Sequence, residues 1–270
     1  MLRVLLLPLA ATLAASHLEA HPEIEAALDR VNAEIAARPA DAALYLLRGE
    51  LYARHEIWDL AEANYLFAAE IAPQHPRLPR LLGTLALATH RAAEAAGHFD
   101  AALALAPGDP ELLVLRARAR AARGERAAAA ADLAGALARI AEPPPGLFLE
   151  RAALLDAPEA VRCLDEGVAR LGPAVSLHLR ALALEESLGR WTDALRRIDQ
   201  LAAQGDRRES WLKRRGDVLA RAGRAVDARA AYAAALQAID MLPDWLRTSP
   251  DTVRLHLELL RLVTPPPDPP

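Results

Sequence analysis

The stretch Ala42 to Pro73, AALYLLRGELYARHEIWDLAEANYLFAAEIAP, decides the fold. It reads as two short amphipathic helices separated by a turn near His55 and Glu56, with small residues and aromatics spaced along both. The pattern then returns. Pro73 and Pro107 stand 34 residues apart, and the same step carries Gly49 onto Gly83 and Tyr65 onto Phe99. A generic alanine-rich bundle has no reason to hold that register. A fixed period of this length is the signature of stacked supersecondary units, each burying an apolar face only against its neighbours.

The first unit carries Tyr45, Gly49 and Tyr52 on its first helix, then Ala61, Tyr65 and Ala68 on its second, and closes with Pro73. The second repeats this through Leu82, Gly83, Ala86, Ala95, Phe99, Ala102 and Pro107. This arrangement resembles the tetratricopeptide repeat family, with Arg48 where that family usually has leucine. The match continues with aliphatic replacements through Leu113, Ala117, Gly124, Ala129, Leu133 and Ala136. A fourth pair, Leu147 to Leu171, is shortened, with Asp156 placed to cap its second helix; a fifth runs from Ala174 to Asp206. The sixth, Glu209 to Leu242, returns to close agreement through Gly216, Ala228, Tyr232 and Ala235. The resemblance implies an all-α, right-handed α-solenoid of antiparallel helical pairs, with repeats 1–3 over 42–142 and repeats 4–6 over 147–242.

Helical spacing of Ile24, Leu28, Val31 and Ile35 predicts an N-terminal capping helix over 22–38, with Pro22 in its first turn and Pro39 beyond its end. Thr252 to Val263 supplies a C-terminal capping helix over 250–263, followed by a proline-rich tail over 264–270 that has almost nothing to bury. Pro143, Pro144, Pro145 and Gly146 interrupt helix formation between the third and fourth pairs, marking a joint in the stack. Tryptophans 191, 211 and 245 lie in the C-terminal half and Trp58 at the first inter-helix turn. Trp191 reads as a packing residue, while Trp245 is placed to cover the last joint or to meet a partner.

Met1 to Arg3 gives a short positive start, Val4 to Leu13 an apolar run, and Ala14 to Ser16 small residues. That is the layout of a secretory signal peptide over 1–16, and it predicts an exported protein, periplasmic or extracellular in a bacterium, with no membrane span after processing. Cys163 is the single cysteine, so it forms no internal disulfide. A net charge of −4 with acidic and basic residues interleaved argues against nucleic acid as a partner.

Catalytic and metal signatures are missing from the sequence. The eight histidines fall in no HExxH pattern and beside no cysteine pair. A new N-terminus at His17 or His21 would offer one amine and one ring nitrogen with no second ligand by spacing. The glycines recur where helices cross or turn, which accounts for them without a phosphate loop. No catalytic residue, metal or cofactor is expected.

By resemblance, the first helix of each pair lines a concave groove. The positions this implies are Leu46, Glu50 and Arg54 in the first unit, Arg80, Thr84 and Leu87 in the second, Glu111, Val114 and Arg118 in the third, and Lys213, Asp217 and Arg221 in the sixth. The asparagines with which some members clamp a C-terminal carboxylate are missing here, so that specificity is not implied. Arg80 and Arg118 sit where they could pair with acidic residues of a partner. The expected role is a non-catalytic scaffold that binds a protein or peptide. Two alternatives stay open: a positioning or assembly subunit of an envelope enzyme complex, and a structural repeat protein that self-associates into a homo-oligomer.

Overall fold

The computed structural model describes residues 22–172, 174–203 and 207–264. The signal-peptide expectation over 1–16 and the tail over 265–270 lie outside the described residues. Every regular element described is helical, and the chain divides into two units, residues 1–141 and 142–270. The division falls just before the Pro143–Pro145 run. Each unit is a solenoid of stacked antiparallel helix pairs.

In unit 1, α1 (Pro22–Ala37) is followed by the pairs α2 (Ala42–Arg54) with α3 (Trp58–Ile71), α4 (Leu78–Ala88) with α5 (Ala92–Leu105), and α6 (Pro110–Ala122) with α7 (Arg126–Leu137). Each helix packs on the next, and the first helices of successive pairs, α2 on α4 and α4 on α6, also touch. Ile24, Leu28 and Val31 of α1 close over Leu51. Asp41 and Asp109 start α2 and α6 by accepting backbone N–H bonds, Asp41 from Ala43 (3.1 Å) and Asp109 from Glu111 and Leu112 (2.9 and 3.1 Å).

In unit 2 the elements are α8 (Pro145–Leu154), α9 (Ala157–Leu171), α10 (Val175–Ser187), α11 (Trp191–Ala202), α12 (Arg208–Arg221), α13 (Ala225–Asp240), a single turn α14 (Asp244–Arg247) and α15 (Pro250–Val263). The helix break expected through Gly146 is shorter than the sequence suggested: Pro145 is the first residue of α8, where its missing N–H costs nothing. Asp156 caps α9 by accepting from the Glu159 N–H at 2.8 Å. Trp191 and Trp211 pack, partly buried, against the unit's core, whereas Trp245 is 75% exposed.

The helix crossings depend on glycine facing an aromatic ring. A Cβ on Gly49 would stand 2.4 Å from Tyr65, on Gly83 2.7 Å from Phe99, and on Gly216 2.2 Å from Tyr232. Each ring sits sixteen residues after its glycine. In the α8–α9 pair the roles swap sides, with Gly167 on the second helix 2.8 Å from Phe148 on the first. The turns inside five of the pairs share a backbone feature, at one period's step within each unit. Glu56, His90, Gly124, Gly189 and Gly223 all take positive φ, at 59°, 61°, 80°, 68° and 76°. Glycine adopts this backbone without penalty; Glu56 and His90 adopt it with a Cβ.

Arg48, the departure from the usual leucine, has a structural use. Its guanidinium donates to Asn64 on α3 at 2.7 Å and to Asn32 on α1 at 2.8 Å. Two periods later Arg116 does the same with acids, donating twice to buried Asp132 on α7 (2.8 and 2.6 Å) and once to Asp100 on α5 (2.8 Å). In unit 2, Arg215 reaches Asp199 at 2.5 Å. Arg48 and Arg116 thus each tie their own pair to the helix before it, through planar contacts that a lysine could not reproduce.

Candidate functional site

Unit 1 contains a cavity of about 490 Å³ bounded by α2, α4 and the start of α3. Leu47, Glu50, Ala53 and Arg54 contribute from α2, Trp58 and Tyr65 from α3, and Leu81, Thr84, Leu85 and Ala88 from α4. The repeat builds this site directly. Side-by-side first helices present a shared face, and the turn through Glu56 brings Trp58 against their edge. The lining is mainly apolar with a few polar groups, within the size range of sites that hold a small ligand or one or two side chains.

Its polar groups are specific. Glu50 forms an ion pair with Arg77 at the rim. Burial, reinforced by the nearby Glu50 carboxylate and partly opposed by Arg77, pushes the Tyr65 phenol up to about 12, so it stays neutral across the physiological range. Thr84 donates to the Arg80 carbonyl at 2.9 Å and keeps its oxygen lone pairs available. Arg54 is exposed and has no ion-pair partner among the described residues.

Three of the expected groove residues, Glu50, Arg54 and Thr84, meet in this cavity, and two others are placed elsewhere. Leu46 is fully buried and Val114 is 8% exposed, so neither offers its side chain to a ligand. The reason is geometric. Residues four apart on an α-helix drift by about 40° around its axis, so a line drawn through 46, 50 and 54 begins inside the core. Leu47, 41% exposed, supplies the apolar contact that Leu46 cannot. Leu46, Arg80 and Val114 share one register; Arg80 escapes the core by reaching outward to Glu111 at 2.5 Å. Those two expected groove residues therefore hold each other. Leu87 is half-buried and Arg118 is exposed.

In unit 2 the expected residues form a separate charged group. Lys213 contacts Asp217 at 3.1 Å and Glu258 of α15 at 2.8 Å, and Arg221 contacts Glu186 at 2.7 Å. Asp217 also accepts from the Tyr232 hydroxyl at 3.1 Å. The same unit holds a buried ionic cluster that the sequence did not disclose. Arg197 on α11 donates to both oxygens of Glu185 on α10 (2.9 and 2.5 Å) and to Asp165 on α9 (2.8 Å), with His178 Nδ1 3.5 Å away. Burial and then the Arg197 charge lower the His178 pKa, outweighing the raising effect of Asp165 and Glu185. Asp165, His178 and Arg197 border a cavity of about 280 Å³. Because the guanidinium is already engaged by two carboxylates, the cluster reads as a join between three helices.

Cys163 is buried, with its Sγ 3.8 Å from the Phe148 carbonyl oxygen, and burial pushes its thiol pKa up. A thiol in that state is a poor nucleophile. Among the described residues no three His, Cys, Asp or Glu side chains converge to hold a metal ion. No helix among them is long and apolar enough to cross a membrane.

Solved structures share this architecture. The C-terminal part of a TPR repeat-containing protein from Cytophaga hutchinsonii matches with a TM-score of 0.62 at 14% identity, over 92% of this chain and 98% of that one. The fold is that of a tetratricopeptide-type repeat protein. PilW, described as a widely conserved type IV pilus biogenesis factor, matches at 0.53 and 22% identity over 73% of this chain and 92% of its own. A structure of Naa15/Naa10 bound to HypK-THB matches at 0.55 and 16% identity, covering 91% of this chain, which spans 40% of that one. At these identities the likeness is one of fold. No family model and no curated protein sequence matches the chain.

Proposed function

We propose that the protein is a non-catalytic scaffold that binds a protein or peptide partner through the cavity between α2 and α4. The observation that carries this reading is the composition of that cavity: an apolar floor from Leu47, Trp58, Leu81 and Leu85, beside a guanidinium at Arg54 that no described residue engages. A partner segment with one leucine or aromatic anchor and a nearby carboxylate is complementary to it. Solved proteins of this fold include one described as a pilus biogenesis factor and one solved in a bound complex, which supports a role in assembly. The positive, apolar, small-residue order over 1–16 supports export, placing that role in the periplasm or outside the cell.

Seating a leucine side chain contributes ~1.5–3 kcal/mol, so an acidic group in the floor should weaken binding by roughly tenfold or more. Random peptides selected on the immobilised protein, counter-selected on a Leu47→Glu/Thr84→Glu variant, test this. Both positions are exposed, so helicity should hold. Enriched peptides should share an apolar anchor and lose binding to the variant; peptides that bind both proteins equally would overturn the assignment.

A further inference from the structure

Tyr65 carries a hydroxyl that the fold does not use. Its ring is needed where it stands, because it closes the helix crossing against Gly49. The oxygen is not needed, since Phe99 fills the same position one period later, fully buried and without one. Tyr65 is 2% exposed and borders the cavity between α2 and α4, yet its hydroxyl makes no hydrogen bond among the described residues. A buried polar group with no partner inside the protein calls for one from outside it.

The sixth pair shows the arrangement that the first pair gives up. There Tyr232 holds the same place relative to Gly216, and its hydroxyl donates to Asp217, fifteen residues earlier, at 3.1 Å. The residue fifteen before Tyr65 is Glu50, also an acid and also next to the glycine. Its carboxylate is engaged instead by Arg77 at the cavity rim, so the phenol keeps an uncommitted proton. Burial, with the Glu50 charge added, holds that proton in place across the physiological range. The same charge disfavours a second anion beside it, so the acceptor that fits is a neutral oxygen.

Resting on the reading that this cavity binds a peptide segment, we infer that Tyr65 is its specificity-determining donor, giving its hydrogen bond to a main-chain carbonyl oxygen beside the apolar anchor. The roles then divide. The floor takes the anchor side chain, Arg54 a carboxylate, and Tyr65 the backbone between them. A ligand without that carbonyl leaves the phenol unpaired in an apolar site, and an unpaired polar group discriminates more sharply than a lost apolar contact.

Tyr65→Phe tests this in two measurements. Without peptide, urea unfolding should find Tyr65→Phe at least as stable as the parent, whereas Tyr232→Phe, which takes a donor away from Asp217, should be less stable. With peptides selected on the parent, Tyr65→Phe should bind roughly three- to tenfold more weakly. Replacing single carbonyl oxygens of a selected peptide by sulfur, a weaker acceptor, should identify one position where the parent loses affinity and Tyr65→Phe does not. If Tyr65→Phe binds every selected peptide as tightly as the parent while Leu47→Glu/Thr84→Glu does not, this inference is overturned and the cavity reading stands. Destabilisation by Tyr65→Phe equal to that by Tyr232→Phe would also overturn it, by showing that the hydroxyl serves the fold. A parent that selects no peptide brings down both.

Discussion

Adding one methyl group at Gly83 should destabilise the protein although it improves helix propensity. The new Cβ would lie 2.7, 2.9 and 3.0 Å from three atoms of the Phe99 ring, against the ~3.5–4.0 Å at which carbon atoms rest. Phe99 is fully buried and cannot swing into solvent. Overpacking of this kind costs ~1–3 kcal/mol, and the gain of alanine over glycine in a helix returns about 1 kcal/mol. The net expectation is a loss of up to roughly 2 kcal/mol by difference. The chain already contains the remedy. One period later the same two positions hold Ala117 and Leu133, which are 1% and 2% exposed. Phe99→Leu alone should cost roughly 1–2 kcal/mol for the lost ring volume, but combined with Gly83→Ala it removes the clash. Urea unfolding followed by circular dichroism gives the four stabilities of the double-mutant cycle. A favourable coupling of about 1 kcal/mol or more is expected. If Gly83→Ala is as stable as the parent, or if the two losses simply add, the reasoning about ring and glycine fails.

Glu56→Gly should stabilise unit 1. The φ of 59° penalises a side chain by ~1–2 kcal/mol, and the added freedom of glycine in the unfolded chain offsets about 0.4–1 kcal/mol of the relief. A small rise in melting temperature is expected, with Gly223→Ala moving it the other way; a fall on Glu56→Gly would contradict the turn assignment. Stability should also fall as the solution is acidified from neutrality. His178, and likewise His98, have folded pKa values lowered below the ordinary 6.5, chiefly by burial. The unfolded chain therefore takes up protons first, so stability is level above that pH and drops below it until the folded histidines protonate. His178→Gln should flatten part of this slope above the carboxylate range, and an unchanged profile would remove His178 from the account.

Much of the fold was readable because it is written in residue size. Gly49 with Tyr65, Gly83 with Phe99 and Gly216 with Tyr232 are each small opposite large at a fixed step, and the structure shows each pair in direct apposition. The site was less legible. Leu46 and Leu47 are chemically identical, and only their angle around α2 decides that one is core and the other lining. Val114 and Arg80 occupy the same register and part ways because a long charged side chain can leave the core and a valine cannot. The Arg197 cluster joins residues from three helices at irregular separations, so no periodicity announces it. The ties through Arg48 and Arg116 left a faint signal, an Asn or Asp sixteen residues to either side, that a search for apolar positions passes over.

The chain's one sulfhydryl group is buried on α9 against the Phe148 carbonyl of α8, and it therefore serves as a native probe of local opening. A thiol-specific dye labels Cys163 faster when that shortened pair separates, so the part of the native labelling rate that responds to stabilising or loosening the pair reports how often one repeat lets go while the others hold. Because no second cysteine competes for the dye, the chain needs no engineering for that measurement.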